Sequence, residues 1–222
     1  TPDIATVEGP ALVTRSSIIS QVLSESRTEG VLPLGAAVPH SSYLPVRALQ
    51  QQVAKVTRFH GSQAFGYMFS PGHEPLRRQV AIRMRDAGVV VAPADVVITH
   101  GCTDAVHMTL RVMTQPGDLI AVESPTYYGL LQVADLLGLK VIEIPSDANT
   151  GISLEALQLA ASQWSIKALV LTARVSNPLG GTLPEARQRE LLRLAESHDL
   201  QIIEDDIYGE LMFDEGASRA LK

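Results

Sequence analysis

The chain has one cysteine, Cys102, which excludes an internal disulfide framework and is compatible with a reducing compartment. Positive charge is in short supply as well. Eighteen Lys and Arg against 24 Asp and Glu leave a net charge of −6, and no basic cluster offers an electrostatic footprint for nucleic acid. There is no signal peptide, no lipidation motif and no apolar run long enough to span a bilayer, so the expectation is a cytoplasmic protein. Internal repeats and low-complexity segments are missing too. Neither G-x-G-x-x-G nor the P-loop pattern occurs, which argues against a dinucleotide or ATP. What remains is ordinary for a soluble globular protein: 222 residues, 45% hydrophobic and 19% charged, enough for one large domain or one and a half with ample core.

Two textures divide the chain. Residues 1–45 read as an N-terminal arm or linker carrying one helix. Thr1 to Thr14 lack periodicity, Ile18, Ile19, Val22 and Leu23 predict a helix over Ser16 to Arg27, and Leu32 to His40 is irregular. The main domain spans 46–222. It opens with a helix marked by Val46, Leu49, Val53 and Val56, a glycine-rich loop from Phe65 to Gly72, and a second helix that Pro75 opens and Gly88 closes. From Val89 onward, short β-rich runs alternate with helices. The strands are expected at Val96–Thr99, Leu119–Val122, Val141–Ile144, Ala168–Thr172 and Gln201–Ile203. The helices are expected at Thr103–Met113, Tyr127–Leu137, Leu154–Gln163 and Pro184–His198. Such alternation predicts an α/β fold, a mostly parallel sheet with helices on both faces.

In open α/β sheets, ligands bind beyond the carboxyl ends of the strands. Four of those ends carry suggestive chemistry. His100-Gly101-Cys102-Thr103-Asp104 joins a strand to a helix start, where first-turn N–H groups without partners make a site for a single phosphate, or else a plain turn with Asp104 near the cap. Glu123-Ser124-Pro125-Thr126-Tyr127-Tyr128-Gly129 offers a ring to stack on a flat ligand, or two tyrosines packing a helix start. Ser176-Asn177-Pro178-Leu179-Gly180-Gly181 is a turn that also sets an amide at the edge. Glu204-Asp205-Asp206-Ile207-Tyr208 follows the last strand. Its acids either solvate a loop or supply a carboxylate, with a phenol three residues on, to a heteroaromatic ring bearing a nitrogen and an adjacent oxygen. Cys102 at a helix start also raises the idea of a nucleophilic thiol, but no histidine or acid is fixed beside it by spacing. The six histidines show no metal-ligand spacing.

Taken in order, Tyr67, Gly72-His73-Glu74-Pro75-Leu76-Arg77, Ile98-Thr99-His100-Gly101, Pro125-Thr126-Tyr127, Asn177-Pro178-Leu179-Gly180 and Asp205-Asp206-Ile207-Tyr208 resemble the pyridoxal 5'-phosphate (PLP) enzymes of fold type I, and within them the class I/II aminotransferases. Leu34 to His40, Glu123 to Leu131 and Ile203 to Gly209 look most like the aminotransferase-like effector domain of MocR-type GntR transcription regulators, which fuse a winged helix-turn-helix to that domain. The resemblance implies a fold type I large domain with PLP as cofactor. Asp205 would pair with the pyridine nitrogen, Tyr208 and Asn177 would bond the phenolic oxygen, and Tyr127 would stack on the ring. The N–H groups of Cys102 and Thr103, after Gly101, would hold the phosphate. Tyr67 would reach the phosphate of a neighbouring subunit, making the working unit a homodimer. Ala37 aligns where the family usually has a glycine near the substrate carboxylate.

The same resemblance sets expectations about what these residues omit. The family's Schiff-base lysine lies in a Ser-x-Ser-Lys-like segment beyond the Asp-x-x-Tyr strand, and Lys222 lacks that context. No catalytic residue is therefore assigned, and the chain reads as a fragment truncated at both ends. DNA would be bound only through a winged helix-turn-helix outside it. The family's two final strands would enter the sheet between Val96–Thr99 and Gln201–Ile203, so a gap is expected there. Two functions follow: a PLP-binding effector domain responding to an amino acid or amine, or a truncated metabolic aminotransferase acting on an amino acid and a 2-oxo acid.

Overall fold

The computed structural model of the chain describes residues 9–12, 30, 40–213 and 220–221. The helix expected at Ser16–Arg27, the segment around Ala37 and Lys222 lie outside the described residues. Strands β1 (Ala11–Leu12), β2 (Leu119–Ser124), β3 (Lys140–Asp147), β5 (Ile166–Leu171) and β6 (Gln201–Glu204) form one sheet in the order β1-β3-β2-β5-β6, and β4 (Gly151–Ile152) pairs with β3. The pairs β2/β3, β2/β5 and β5/β6 are parallel, while β1 and β4 run antiparallel to β3. Residues Ala11 and Leu12, read from sequence as part of an arm, thus supply an edge strand beside Val141 and Lys140.

Parallel strands covered on both faces read as nearly continuous apolar runs. In β2, Ile120, Ala121 and Val122 are all fully buried. The alternation of side chains then sorts them into two cores. Leu119, Ala121, Ile142, Ile144, Leu169 and Leu171 meet α5 (Leu154–Gln163) and α6 (Glu185–Ser197) on one face. Ile120, Val122, Val141, Ala168 and Val170 meet α3 (Cys102–Met113) and α4 (Tyr128–Leu136) on the other. Helix α5 starts where Ser153 caps it by accepting from the Ala156 N–H at 3.2 Å.

Helix α1 (Val46–Ala64) takes up the periodicity of Val46, Leu49, Val53 and Val56, yet none of its residues is buried, and Phe59 is exposed as well. Helix α2 (Glu74–Asp86) carries Pro75 in its first turn. Past its end, the Gly88 N–H donates to Arg85 O at 2.9 Å and the Val89 N–H to Met84 O at 2.8 Å, the Schellman arrangement expected of a glycine at that position.

One expected strand does not form. Val96–Thr99 is extended, with Val96 at φ −94° and ψ 125°, but no strand among the described residues lies beside it. The Ile98 N–H donates to Pro71 O at 2.9 Å and the Val96 N–H to Pro93 O at 3.4 Å, and Val97 stays exposed. β-propensity supplies an extended backbone; a strand also needs a ladder partner. At the other end of the sheet, β6 pairs with β5 alone among the described residues.

Leu110 seats α3 on the sheet and is fully buried, whereas Val112 on the same helix is 85% exposed. We expect Leu110→Ala to cost about 2–5 kcal/mol in urea unfolding, and Val112→Ala to change stability by less than about 0.5 kcal/mol. Equal effects would mean that α3 is not docked through this face.

Candidate functional site

Beyond Val122 and Val170 the ladder between β2 and β5 stops. From β2 the chain crosses to β3 on one side, and from β5 to β6 on the other, so these two strands flank the switch point of the sheet. A cleft of about 530 Å³ opens there, lined among others by Cys102, Thr103, Tyr127, Asn177, Asp205 and Tyr208. Six of the eight residues singled out in the sequence therefore meet in one place. Gly101 adjoins them as the N-cap of α3. Tyr67 does not join them, and its side chain is 96% exposed.

Each wall has a local cause. Gly101 has φ 113° and ψ 170°, a conformation that an L side chain rarely adopts, and so the chain turns from Thr99 straight into α3. Asp104 looks back and accepts from the His100 N–H at 3.1 Å. Among the described residues, the N–H groups of Cys102 and Thr103 meet no acceptor, as expected for the first turn of a helix. At the opposite wall, the Asp205 N–H extends the β5/β6 ladder by donating to Leu171 O at 2.9 Å. Its Oδ1 accepts from the Cys102 thiol at 3.1 Å and from the Ile207 N–H at 3.3 Å, while Oδ2 has no partner among the described residues.

Burial and that contact together set the character of Cys102. Burial and then the Asp205 carboxylate push the thiol up to about 12, so it is a protonated donor and not a nucleophile. Burial also raises the Tyr127 phenol, with Tyr128 and Tyr208 adding to the shift and a Thr103 hydroxyl contact opposing it. The Tyr127 and Tyr128 rings lie 4.7 Å apart at 50°.

Two residues that sequence reasoning passed over hold the cleft in shape. Arg174, 7% exposed, binds Asp206 through both ends of its guanidinium: Nε donates to Oδ1 at 2.8 Å and Nη2 to Oδ2. The pair occupies Asp206 and fixes which acid of the triplet faces the cleft. An arginine three residues past the apolar end of β5 was the available clue. Next to it, Val175 sits at φ 53°, a strained conformation for a β-branched residue, with its N–H donating to Thr182 Oγ1 at 3.3 Å. The second is Glu123, quoted in the β2 motif but given no role. It is 6% exposed, and its Oε2 accepts from the Thr172 N–H at 2.7 Å, bridging β2 and β5 just past their last ladder pair.

Burial pushes Glu123 up to about 7, with the Thr172 N–H opposing, and Glu204 is raised to about 7 by burial, with Leu221 N–H opposing. A carboxyl group whose folded value exceeds the ordinary 4.5 favours folding while it is protonated, so stability is lost as pH rises from about 4.5 to about 7. We expect urea unfolding of the parent chain to show this decline, and Glu123→Gln to remove its own share, at most about 3 kcal/mol, and to be the more stable chain at pH 8. Parallel pH profiles for parent and variant would show that Glu123 is ionised in both folded and unfolded chains.

The family model described as aminotransferase class I and II matches residues 31–221. Over 205 residues the chain is 40% identical to YjiR, an uncharacterized HTH-type transcriptional regulator of Escherichia coli K12, covering 92% of this chain and 44% of that protein. It is 32% identical over 208 residues to aromatic-amino-acid aminotransferase 1 of Thermococcus litoralis, covering 91% of this chain and 50% of that one. The crystal structure of Pyrococcus horikoshii kynurenine aminotransferase in complex with PMP matches with a TM-score of 0.84 at 26% identity, over 94% of this chain and 52% of that one. The chain spans about half the length of these relatives. With the fold, the switch-point cleft and these matches in agreement, the chain belongs to the aminotransferase class I and II family.

Proposed function

We propose that this chain is the PLP-binding, aminotransferase-like portion of a GntR/MocR-type transcription regulator. The observation that carries it is the 40% identity to an HTH-type regulator over 92% of the chain, together with a cleft suited to a phosphorylated flat heteroaromatic. A second regulator of Escherichia coli K12, YdcR, is 34% identical over 89% of the chain.

The residues fit the cofactor at both ends. The N–H groups of Cys102 and Thr103 at the start of α3 hold the phosphate, because helix N-termini favour anions. Asp205 pairs with the pyridine nitrogen, each charge supporting the other. Asn177 and Tyr208 hydrogen-bond the phenolic oxygen, and Tyr127 covers one ring face. When bound, PLP supplies an electron sink for bonds at an amino acid's α-carbon. In the regulator reading, this chemistry serves to recognise an amino acid or amine. Tyr67, exposed and not among the residues that line its own cleft, contributes to the phosphate site of a second copy in a homodimer. DNA is engaged by a winged helix-turn-helix outside these residues, in a cytoplasmic protein. Among the described residues no helix is long and apolar enough to cross a membrane.

The second reading, a metabolic aminotransferase converting an amino acid and a 2-oxo acid, draws on the 32% identity to the Thermococcus litoralis enzyme. Full-length protein separates the two. We expect an amino acid to change its affinity for DNA upstream of its own gene; sustained amino-group transfer to a 2-oxo acid without any DNA binding would overturn the regulator reading. Within the cleft, Asp205→Asn should weaken PLP binding about tenfold in an absorbance titration, the scale of one charge-assisted bond. Asp206→Asn should act mainly on stability, because it leaves the buried Arg174 unpaired. Equal loss of PLP affinity in the two variants would refute the assignment of Asp205.

A further inference from the structure

Helix α4 begins Tyr128-Gly129-Leu130, with Tyr127 as its N-cap. Gly129 is buried, within the helix, and is not among the glycines with positive φ. Glycine is among the poorest helix formers, so nothing in the backbone asks for it here. The side chain beside it does. A Cβ at position 129 would lie 2.3 Å from Tyr127 Cε1, 2.7 Å from Cζ and 2.9 Å from the phenol oxygen. The ring edge of Tyr127 therefore rests on the bare Cα of Gly129, while Tyr128 flanks it at 4.7 Å. Tyr127, Tyr128 and Gly129 all line the cleft, with Thr103 of the α3 start and Asp205 among the other lining residues.

We propose that Gly129 is the positioning residue of the site: its missing side chain seats the Tyr127 ring against α4 and so sets the gap into which a flat ligand ring enters. A methyl group at 129 cannot coexist with the ring in this place. The far end of a tyrosine side chain is what would have to give, and it swings off α4. The inference rests on the cofactor reading above for the identity of the ligand, but not for the position of the ring.

Gly129→Ala tests it. Gly129 sits in the first turn of α4 without a positive φ, so the backbone accepts alanine there and the variant folds. With ring-labelled tyrosine, five tyrosines give few resonances, and Tyr127→Phe assigns the one in question. We expect the Tyr127 ring signal of the PLP-free protein to move in Gly129→Ala, and PLP to bind about fivefold more weakly, the scale of one well-placed aromatic contact. In a Tyr127→Ala background, Gly129→Ala should have no further effect on PLP affinity, since coupled residues are not additive. Additive losses in the double variant, or parental ring shifts with parental affinity, overturn the role of Gly129. If the parent itself binds no PLP, the cofactor reading falls, and the ring shift alone decides: an unmoved Tyr127 signal in Gly129→Ala refutes the proposal.

Discussion

Everything at the site depends on the parting of β2 from β5. Their shared ladder ends at Val122 and Val170, and the two strands then send the chain to opposite sides. Parting leaves the Thr172 N–H without its ladder acceptor, and a buried backbone donor without a partner is costly. The Glu123 carboxyl group takes that role at 2.7 Å. The strands can therefore separate, and the cleft can open between them, without an unsatisfied donor at its base. The same burial that makes this useful raises the carboxyl to about 7, because a low-dielectric site disfavours the charged form.

On either side of this opening, the walls come from different parts of the chain and are held by different kinds of bond. The α3 wall depends on a backbone conformation at Gly101 and on the packing of Leu110 and Val106 against the sheet. The opposite wall depends on charge. Arg174 holds Asp206, the β5/β6 ladder holds the backbone of Asp205, and Cys102 joins the two walls through its thiol. An ion pair with one partner buried and the other exposed contributes little net stability beside an apolar alternative. What it contributes here is register: of three consecutive acids at the end of β6, Asp206 is tied by Arg174 and Glu204 by the Leu221 N–H, which leaves Asp205 to the cleft.

Outside the sheet the molecule is more open. Leu49, Val53, Val56 and Phe59 of α1 are exposed, as are Phe65, Tyr67 and Phe69 in the loop that follows. The apolar periodicity of α1 is real in the sequence, but its burial is not supplied by the described residues. Val96–Thr99 stands in the same position. It has the composition of a strand and the extended backbone of one, without a neighbour to complete the ladder.

By itself the sequence determined the alternation of elements and the chemistry at their ends. Short β-rich runs marked β2 and β5, and the stretch between two such runs marked α5 from Leu154 to Gln163. The parallel order followed from alternation, and Gly101, Tyr127, Asn177, Asp205 and Tyr208 were legible because carboxyl ends of parallel strands share one edge. The tertiary structure alone decided which partners these residues take. Cys102 and Asp205 are 103 positions apart, Glu123 and Thr172 are 49 apart, and Arg174 and Asp206 are 32 apart. No local pattern encodes such pairings, because they form only when the crossovers bring separate strand ends to one edge. The same limit explains Val96–Thr99. Propensity is a property of a segment, whereas a strand is a property of a pair.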